Sequence, residues 1–381
     1  SLALAYKWNG TWTETIIDSN TDTGQHPSVA IDRSGAVHIA YIDYTSNPDV
    51  LRYATNATGT WVKTTLGNST YDNDDGRGTA IVVHPITDAV HIVSTINDNT
   101  YRDLIHYTNE TGSWVNTTIT NTSRDEGHDP SMAMDGDGNL YVAYYCDDSC
   151  SDLMLARRIN GVWKNETVAG SIESSGSKYN VGNNPDIVID SQGTIHIVSI
   201  KLNQNHVYLH SGTPGSWSET TFTNGGSYWP TVDVDSKDVV HIAYRKKSSA
   251  DLMYITNASG SWSTAKVIDG GDGGYGADMV IDDNDDILVA HIAHGLAKLQ
   301  LTTLQGSSQG LTVQPIYDIS PGLPNGLHMN WQNGTIWGTP TEVHANTTHT
   351  VTVTALGLTT TATFTLFVAG LPGTISYSDI S

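Results

Sequence analysis

Only two of the 381 residues are cysteine, and both lie in one short segment, as Cys146 and Cys150. Their spacing allows one small local disulfide or two free thiols. It excludes a disulfide framework, and no further soft ligand stands adjacent to make a metal knuckle. Basic residues are also scarce: Lys+Arg 18 against Asp+Glu 40 leaves a net charge of −22. A phosphate backbone is bound by clustered cations that displace its counterions, so nucleic acid and anionic membrane surfaces are poor partners. No stretch approaches the ~20 apolar residues of a membrane helix. The nearest, Phe364 to Leu371, is short and broken by Thr and Gly. The chain opens at Ser1 without a basic, apolar-cored leader, and a secretory signal removed before that point leaves the same sequence. Charged residues make up 15%, below the ~25% of an average domain. Thr, Ser, Asn and Gly carry the polar load instead, which favours strands and turns over helices. The length suits one large unit plus a small one.

What is present is a repeat. One phrase recurs: a loop ending in a small residue or Pro, an apolar strand, an Asp/Gly turn, a strand reading HIAY or similar, a third strand, and a last one beginning near Trp. The clearest copy runs from His26 to Leu66. Others open at Gly78, Asp129, Asn184, Trp229 and Gly276. The tryptophans Trp61, Trp114, Trp163, Trp217 and Trp262 are separated by 53, 49, 54 and 45 residues. Four short strands per 40–50 residues is the signature of a β-propeller blade. Residues 2–18 match the third and fourth strands of a blade, whereas the sixth copy is clear only in its first two. The expectation is an all-β propeller of six blades over residues 1–303, closed when the N-terminal strands complete the last blade and hide its edges. Seven blades with a half-length first one is the alternative.

Beyond residue 303 the pattern changes. Pro321 to Leu327 and Gly334 to Thr341, followed by two alternating strands, resemble the immunoglobulin-like modules of secreted microbial proteins, related to cadherin-like and dystroglycan-type domains. The resemblance covers some 70 residues and implies a small Ig-like β-sandwich at 304–369, serving as an adhesive or spacer element without catalytic residues. It leaves 370–381 as a tail.

In a propeller, the loops entering each innermost strand share one face around the channel mouth, where ligands bind. There the repeat places His26, Arg77, Asp129, Asn184, Trp229 and Tyr275, unlike residues at like positions, which marks a site grafted on a repetitive scaffold. Aromatics nearby, Tyr71, Tyr101, Tyr228, Trp229 and Tyr275, suit stacking on sugar rings. A sialidase-like site would gather Arg77, Arg102, Arg124 and Arg245 with Glu126 and Tyr275; Asp125 with Asp129 is a carboxylate pair for glycoside hydrolysis.

Ten Asn-x-Ser/Thr sequons occur, at Asn9, Asn56, Asn68, Asn109, Asn116, Asn121, Asn165, Asn257, Asn333 and Asn346. N-linked glycans are expected on the opposite face, where Asn9, Asn56, Asn109 and Asn257 share one hairpin position. Asp135, Asp137 and Asn139 supply hard oxygens for calcium, although Asp, Asn and Gly are also what a tight turn selects. No other cofactor is indicated. His38, His91, His196 and His241 recur on the second strand, where they read as polar spacers between blades. The tail residues Thr374, Ile375, Ser376 and Tyr377 suit a short strand added to a neighbouring subunit, building a homopolymer head to tail. Together these features give the expectation of a non-enzymatic, glycosylated, extracellular or cell-surface structural protein, without membrane insertion. The alternatives are a lectin-like carbohydrate-binding propeller and a sialidase-like glycoside hydrolase.

Overall fold

The computed structural model describes residues 1–8, 11–45, 49–68, 78–97, 101–147, 150–170, 180–201, 204, 206–222, 227–270, 272–293, 298–304, 316–329, 335–355, 358–369 and 376–377. It is all-β: no helix occurs among these residues, and so none long and apolar enough to cross a membrane. The chain divides into two compact units. The first comprises Ser1–Asp282 and Asp286–Gln305; the second comprises Gly306–Ser381 with Asp283–Asp285.

The first unit begins with a two-stranded sheet, β1 (Leu2–Trp8) and β2 (Thr11–Asp18). Five four-stranded antiparallel sheets follow, each in simple up-and-down order. They are β3 (Thr23–Ile31), β4 (Val37–Asp43), β5 (Val50–Thr55) and β6 (Val62–Asn68); then β7 (Thr79–Val83), β8 (Val90–Asn97), β9 (Arg102–Thr108) and β10 (Val115–Thr118). Next come β11 (His128–Met134), β12 (Leu140–Cys146), β13 (Asp152–Ile159) and β14 (Val162–Ala169); β15 (Val181–Ile189), β16 (Ile195–Lys201), β17 (His206–Thr213) and β18 (Ser216–Phe222). The fifth is β19 (Ser227–Val234), β20 (Val240–Lys246), β21 (Asp251–Thr256) and β22 (Lys266–Asp269). A three-stranded sheet closes the series: β23 (Tyr275–Ile281), β24 (Ile287–Ala293) and β25 (Lys298–Leu304).

The second strand of each four-stranded sheet of this unit is buried on both faces, as an apolar strand sandwiched between neighbouring sheets must be. The core is accordingly divided into layers between consecutive sheets. Ile81, for example, packs on Ala40, Ile42 and Leu51 of the sheet before it, and Val232 packs on Val198, Val207 and Leu209. The periodic tryptophans seal the outer ends of these layers: Trp114 meets Tyr53 edge-on at 4.9 Å, and Trp262 meets Phe222 at 4.9 Å.

The first-to-second-strand turn is held by an aspartate in every sheet but β7–β10, where His84 Nδ1 accepts the N–H groups of Ile86 and Thr87 instead. Asp32 Oδ1 accepts the N–H groups of Ser34 and Ala36, and Asp190 Oδ1 those of Gln192 and Thr194. The second-strand histidine then grips the same carboxylate: His38 Nε2 lies 3.1 Å from Asp32 Oδ2 and its Nδ1 lies 2.6 Å from Tyr53 Oη. His196 repeats the arrangement with Asp190 and Ser211, and His241 with Asp235 and Tyr254. His91 stacks on His106 within its own sheet. His38, His196 and His241 therefore brace a turn within one sheet, which corrects their reading as spacers between blades.

The expected closure is also corrected. A sheet completed by the N-terminal strands would need β1 on the outer edge of β24, and β25 occupies that edge. β1 pairs with β2 alone among the described strands.

The second unit has a four-stranded sheet, β26 (Ile316–Ser320), β29 (His344–Ala355), β30 (Leu358–Val368) and β31 (Ser376–Tyr377), and a two-stranded one, β27 (Leu327–Met329) with β28 (Ile336–Gly338). In the tail, Tyr377 pairs with Leu366 and Ser376 with Phe367 of the same chain. The tail strand thus satisfies its own domain's open edge, against the expectation of pairing with a neighbouring subunit. Thr374 and Ile375 lie outside the described residues.

Candidate functional site

Six innermost strands, β3, β7, β11, β15, β19 and β23, line one channel with a volume of about 520 Å³. Four of the sequence-predicted residues stand at its rim. His26, Asp129, Asn184 and Trp229 each precede a proline and adopt φ of 47°, 47°, 46° and 48°. Proline denies the preceding residue the right-handed helical region. A bulge at each of these sites, seen as a register slip on the partner strand, requires the left-handed one instead. Asn, Asp and His tolerate that region; for Trp229 it costs on the order of 1–2 kcal/mol.

At the equivalent place, just before β7, stands Gly78, where a Cβ would come 2.9 Å from Pro130 Cδ. Arg77 itself lies outside the described residues, as does Tyr71. In β23 the rim position belongs to Gly276, at φ 53°, one residue after the predicted Tyr275. Tyr275 nevertheless reaches the rim through its ring, which sits 4.5 Å from that of Trp229. Tyr228 adds a third ring 5.3 Å from Trp229. The Arg245 guanidinium covers Tyr275 at 4.5 Å and donates to Asp272 at 2.8 Å, while Lys247 Nζ lies 5.2 Å from the Tyr228 ring. Three half-buried rings with cationic and carboxylate neighbours thus form one continuous patch across β19 and β23.

Elsewhere on the rim Asn184 Nδ2 donates to Asp129 Oδ2 at 3.1 Å. Asp125 Oδ1 accepts the Arg102 N–H, so Asp125 and Asp129 are engaged with different partners. Arg102 turns to His128 and Arg245 to Asp272, each held locally on its own part of the rim.

Sequence reasoning missed the channel wall. Asp186, Asp233 and Asp278 project from three adjacent inner strands, β15, β19 and β23, and all line the channel. Asp186 Oδ1 accepts from Ser131 Oγ at 2.7 Å, and Oδ2 accepts from Thr231 Oγ1 at 2.9 Å and the Val232 N–H at 2.8 Å. Burial still pushes its carboxyl above the ordinary range, because desolvation outweighs these bonds. Asp233 is pushed up to about 6, chiefly by desolvation and further by the charge of Asp186. Asp278, encircled by protein yet open to channel solvent, is pushed up to about 6 by desolvation and then by Asp186 and Asp233. The signal was in the sequence: Asp186 and Asp278 interrupt inner strands where the first and third copies carry Ser28 and Ser131, and Asp233 stands where they carry Ala30 and Ala133.

The remaining predicted residues resolve differently. Cys146 and Cys150 form a disulfide across a Cα separation of 5.8 Å. Of the calcium candidates, the Asp135 and Asn139 side chains are engaged in their own turn: Asp135 accepts from the N–H groups of Asp137 and Asn139, from Asn139 Nδ2 and from Tyr141 Oη. Among the described residues no group of three or more His, Cys, Asp or Glu side chains is placed to hold a metal.

The recurrent sequon asparagines have a structural task. Oδ1 of Asn56, Asn109 and Asn257 accepts the N–H of Val37, Val90 and Val240, and the glycine three residues on closes a turn back to the asparagine carbonyl. Asn-x-Ser/Thr-Gly is here a hairpin motif. Asn116, Asn121 and Asn346 are exposed, and Asn165, also exposed, donates to the Ile119 carbonyl. Asn68 ends β6, and Asn9 and Asn333 lie outside the described residues.

Comparison with known proteins agrees with this architecture. Residues 296–369 match the family described as "Putative Ig domain". That segment includes β25, which hydrogen-bonds to β24 in the first unit. Among solved structures, the NanB sialidase from Streptococcus pneumoniae, in complex with 2-[(3-chlorobenzyl)ammonio]ethanesulfonate, is similar with a TM-score of 0.50 at 11% identity, over 76% of this chain and 70% of that one. AofleA from Arthrobotrys oligospora is similar with a TM-score of 0.50 at 13% identity, over 74% of this chain and 83% of that one. No curated protein sequence matches. At these identities the shared property is the fold. The chain has an all-β, propeller-like fold with a C-terminal Ig-like domain. The expectation of a non-enzymatic protein is corrected, because a sialidase carries the same fold and the architecture gives no ground for denying catalysis.

Proposed function

We propose that this is a carbohydrate-binding propeller that seats a saccharide at its channel mouth, on the rings of Tyr228, Trp229 and Tyr275. The aromatic series carries the reading: ring centroids 5.3 and 4.5 Å apart offer a continuous apolar surface, and the C–H face of a pyranose stacks on such a surface. Arg245, Lys247 and Asp272 stand around it as donors and acceptors for hydroxyl and carboxylate groups. Concentration of the rings between two sheets, rather than one per sheet, makes this a single site. The Ig-like domain accords with an extracellular or cell-surface protein, as its resemblance implies. Binding of this kind also serves adhesion.

The channel carboxyls favour a second reading, glycoside hydrolysis. A carboxyl pushed up to about 6 retains a proton close to neutrality and is suited to protonating a leaving glycosidic oxygen. The sialidase with which the fold is shared supports this direction.

The test is a glycan array of acidic and neutral saccharides, read with the wild type and with Trp229→Ala. The expected result is retention of a saccharide class that the variant binds about tenfold more weakly. Retention of no glycan by the wild type overturns the binding reading. Release of a fluorogenic aglycone that Asp278→Asn abolishes would establish the hydrolytic one.

A further inference from the structure

The segment from Asp272 to Gly276 delivers two members of the mouth patch, Asp272 and Tyr275, and its other three residues are glycine. Asp272, Gly274 and Gly276 take φ of 77°, 83° and 53°. Its ladder to β24 is interrupted: Tyr275 pairs with Ile292, and the next pair is Asp278 with Ala290. A stretch so rich in glycine loses much conformational freedom on folding and needs an anchor to hold one geometry.

The anchor is a side chain of β24. Gly274 donates its N–H to Nδ1 of His291 at 3.0 Å, and His291 is 1% exposed. Gly273 lies directly on the same ring: a Cβ there would come 3.3 Å from His291 Cε1 and 3.0 Å from Asp269 Oδ2. An imidazole nitrogen that accepts an amide N–H carries no proton, so the ring proton sits on Nε2. Nε2 faces two acceptors, Thr302 Oγ1 at 3.0 Å and Asp269 Oδ2 at 3.3 Å. The network is complete only with a neutral ring in this tautomer.

The repeat does not require histidine at that place. By register the equivalent second-strand residues are Tyr41, Ser94, Tyr144, Ser199 and Tyr244. All five are buried, and among the six sheets histidine stands there only in the one that carries Tyr275.

We propose that His291 is a positioning residue of the mouth: its neutral imidazole fixes the segment from Asp272 to Gly276, and protonation at Nδ1 releases that segment and with it the saccharide. The last step rests on the carbohydrate-binding reading; the rest stands without it. A proton on Nδ1 sets two donors, Nδ1–H and the Gly274 N–H, against each other in a buried place. Asp269 of β22 is the ionisable group that faces the ring. Thr302 of β25 brings a hydroxyl and the glycine segment brings backbone, while Arg245 of β20 stands beyond Gly274, its Cβ 3.1 Å from where a Gly274 Cβ would be. Burial holds the imidazole below its ordinary value, against the pull of Asp269 and the Ile292 carbonyl, so release belongs to acid pH.

The test reads the full chain without saccharide first. Deuterium uptake by peptides covering residues 272–276, corrected for the intrinsic exchange rate at each pH, is expected to rise about tenfold from pH 7.5 to pH 4.5. His291→Asn, whose Oδ1 accepts the Gly274 N–H and gains no proton, is expected to hold the segment throughout; His291→Leu, which lacks the acceptor, is expected to lose it throughout. Asp269→Asn removes the charge that raises His291 and should move the midpoint to lower pH. Circular dichroism across the range checks that each protein is folded. Wild-type protection unchanged between pH 7.5 and 4.5, undiminished pH dependence in His291→Asn, or a midpoint that Asp269→Asn leaves in place overturns the proposal. The array of acidic and neutral saccharides is then read at both pH values. Wild-type retention is expected to be about tenfold weaker at pH 4.5, with the difference absent in His291→Asn. Retention indifferent to pH while the segment loosens overturns the saccharide step. Retention of no glycan at pH 7.5 overturns the carbohydrate-binding reading and that step with it, and the exchange data still decide the role of His291.

Discussion

Replacing Asp278 by asparagine is expected to stabilise the folded protein above pH 7 and to do nothing below about pH 4. The carboxyl is raised from 3.8 to about 6, roughly two units, or about 3 kcal/mol between its protonation states. Channel solvent screens the group, so about half of that, ~1.5 kcal/mol, is the expected contribution. The sign follows from proton binding. Between about pH 4 and 6 the folded state retains a proton that the unfolded state has released, so stability falls as pH rises through that window. Asparagine has no proton to lose. The wild-type profile alone does not isolate the effect, because His91 and His106, depressed by burial to about 4 and about 3, act in the opposite sense. Their stability is lost as pH falls and the unfolded imidazoles protonate. The informative quantity is therefore the difference between variant and wild type in thermal unfolding at pH 4, 5, 6 and 7.5. It is expected to grow from near zero to about 3 °C in favour of Asp278→Asn. A flat difference, or a variant less stable at pH 7.5, would refute crowding of three carboxyls in the channel.

Three further outcomes are expected. Asn109→Ala removes the acceptor for the Val90 N–H and should cost about 1 kcal/mol in urea unfolding; Asn109→Asp, which keeps the acceptor, should cost less. Replacing both Cys146 and Cys150 by serine opens a five-residue loop, which should lower stability by about 2 kcal/mol without changing the far-ultraviolet spectrum. His196→Ala frees the carboxylate of Asp190 and should destabilise by about 1–2 kcal/mol, with faster hydrogen exchange at the Thr194 amide as the local readout.

The repeat was legible because each sheet reuses one pattern of apolar strands, Asp-turn and outer tryptophan, and Trp114, Trp163 and Trp262 do pack between sheets. The rim was legible for a similar reason: a residue before proline at the entry to four of the six inner strands is a fixed place in the phrase, and Trp229 and Asn184 stand there. Closure was not legible. Both β1 and β25 have the alternating composition to pair with β24, and only tertiary placement chooses β25. The channel aspartates were overlooked because Asp in a strand reads as solvent-facing, whereas the inner strands have a third environment, the channel. The recurrence of the sequons has a structural reason. The carboxamide that accepts a glycan is also the group that bridges a hairpin, so the hairpin alone accounts for the repetition of Asn56, Asn109 and Asn257.

The most direct measurement is a crystal structure of the protein with the saccharide its array profile selects. The account predicts the sugar ring lying against Trp229 and Tyr275, with polar groups reaching Arg245 or Asp272. A saccharide bound on the Ig-like domain, or on the first unit away from the channel mouth, would contradict it.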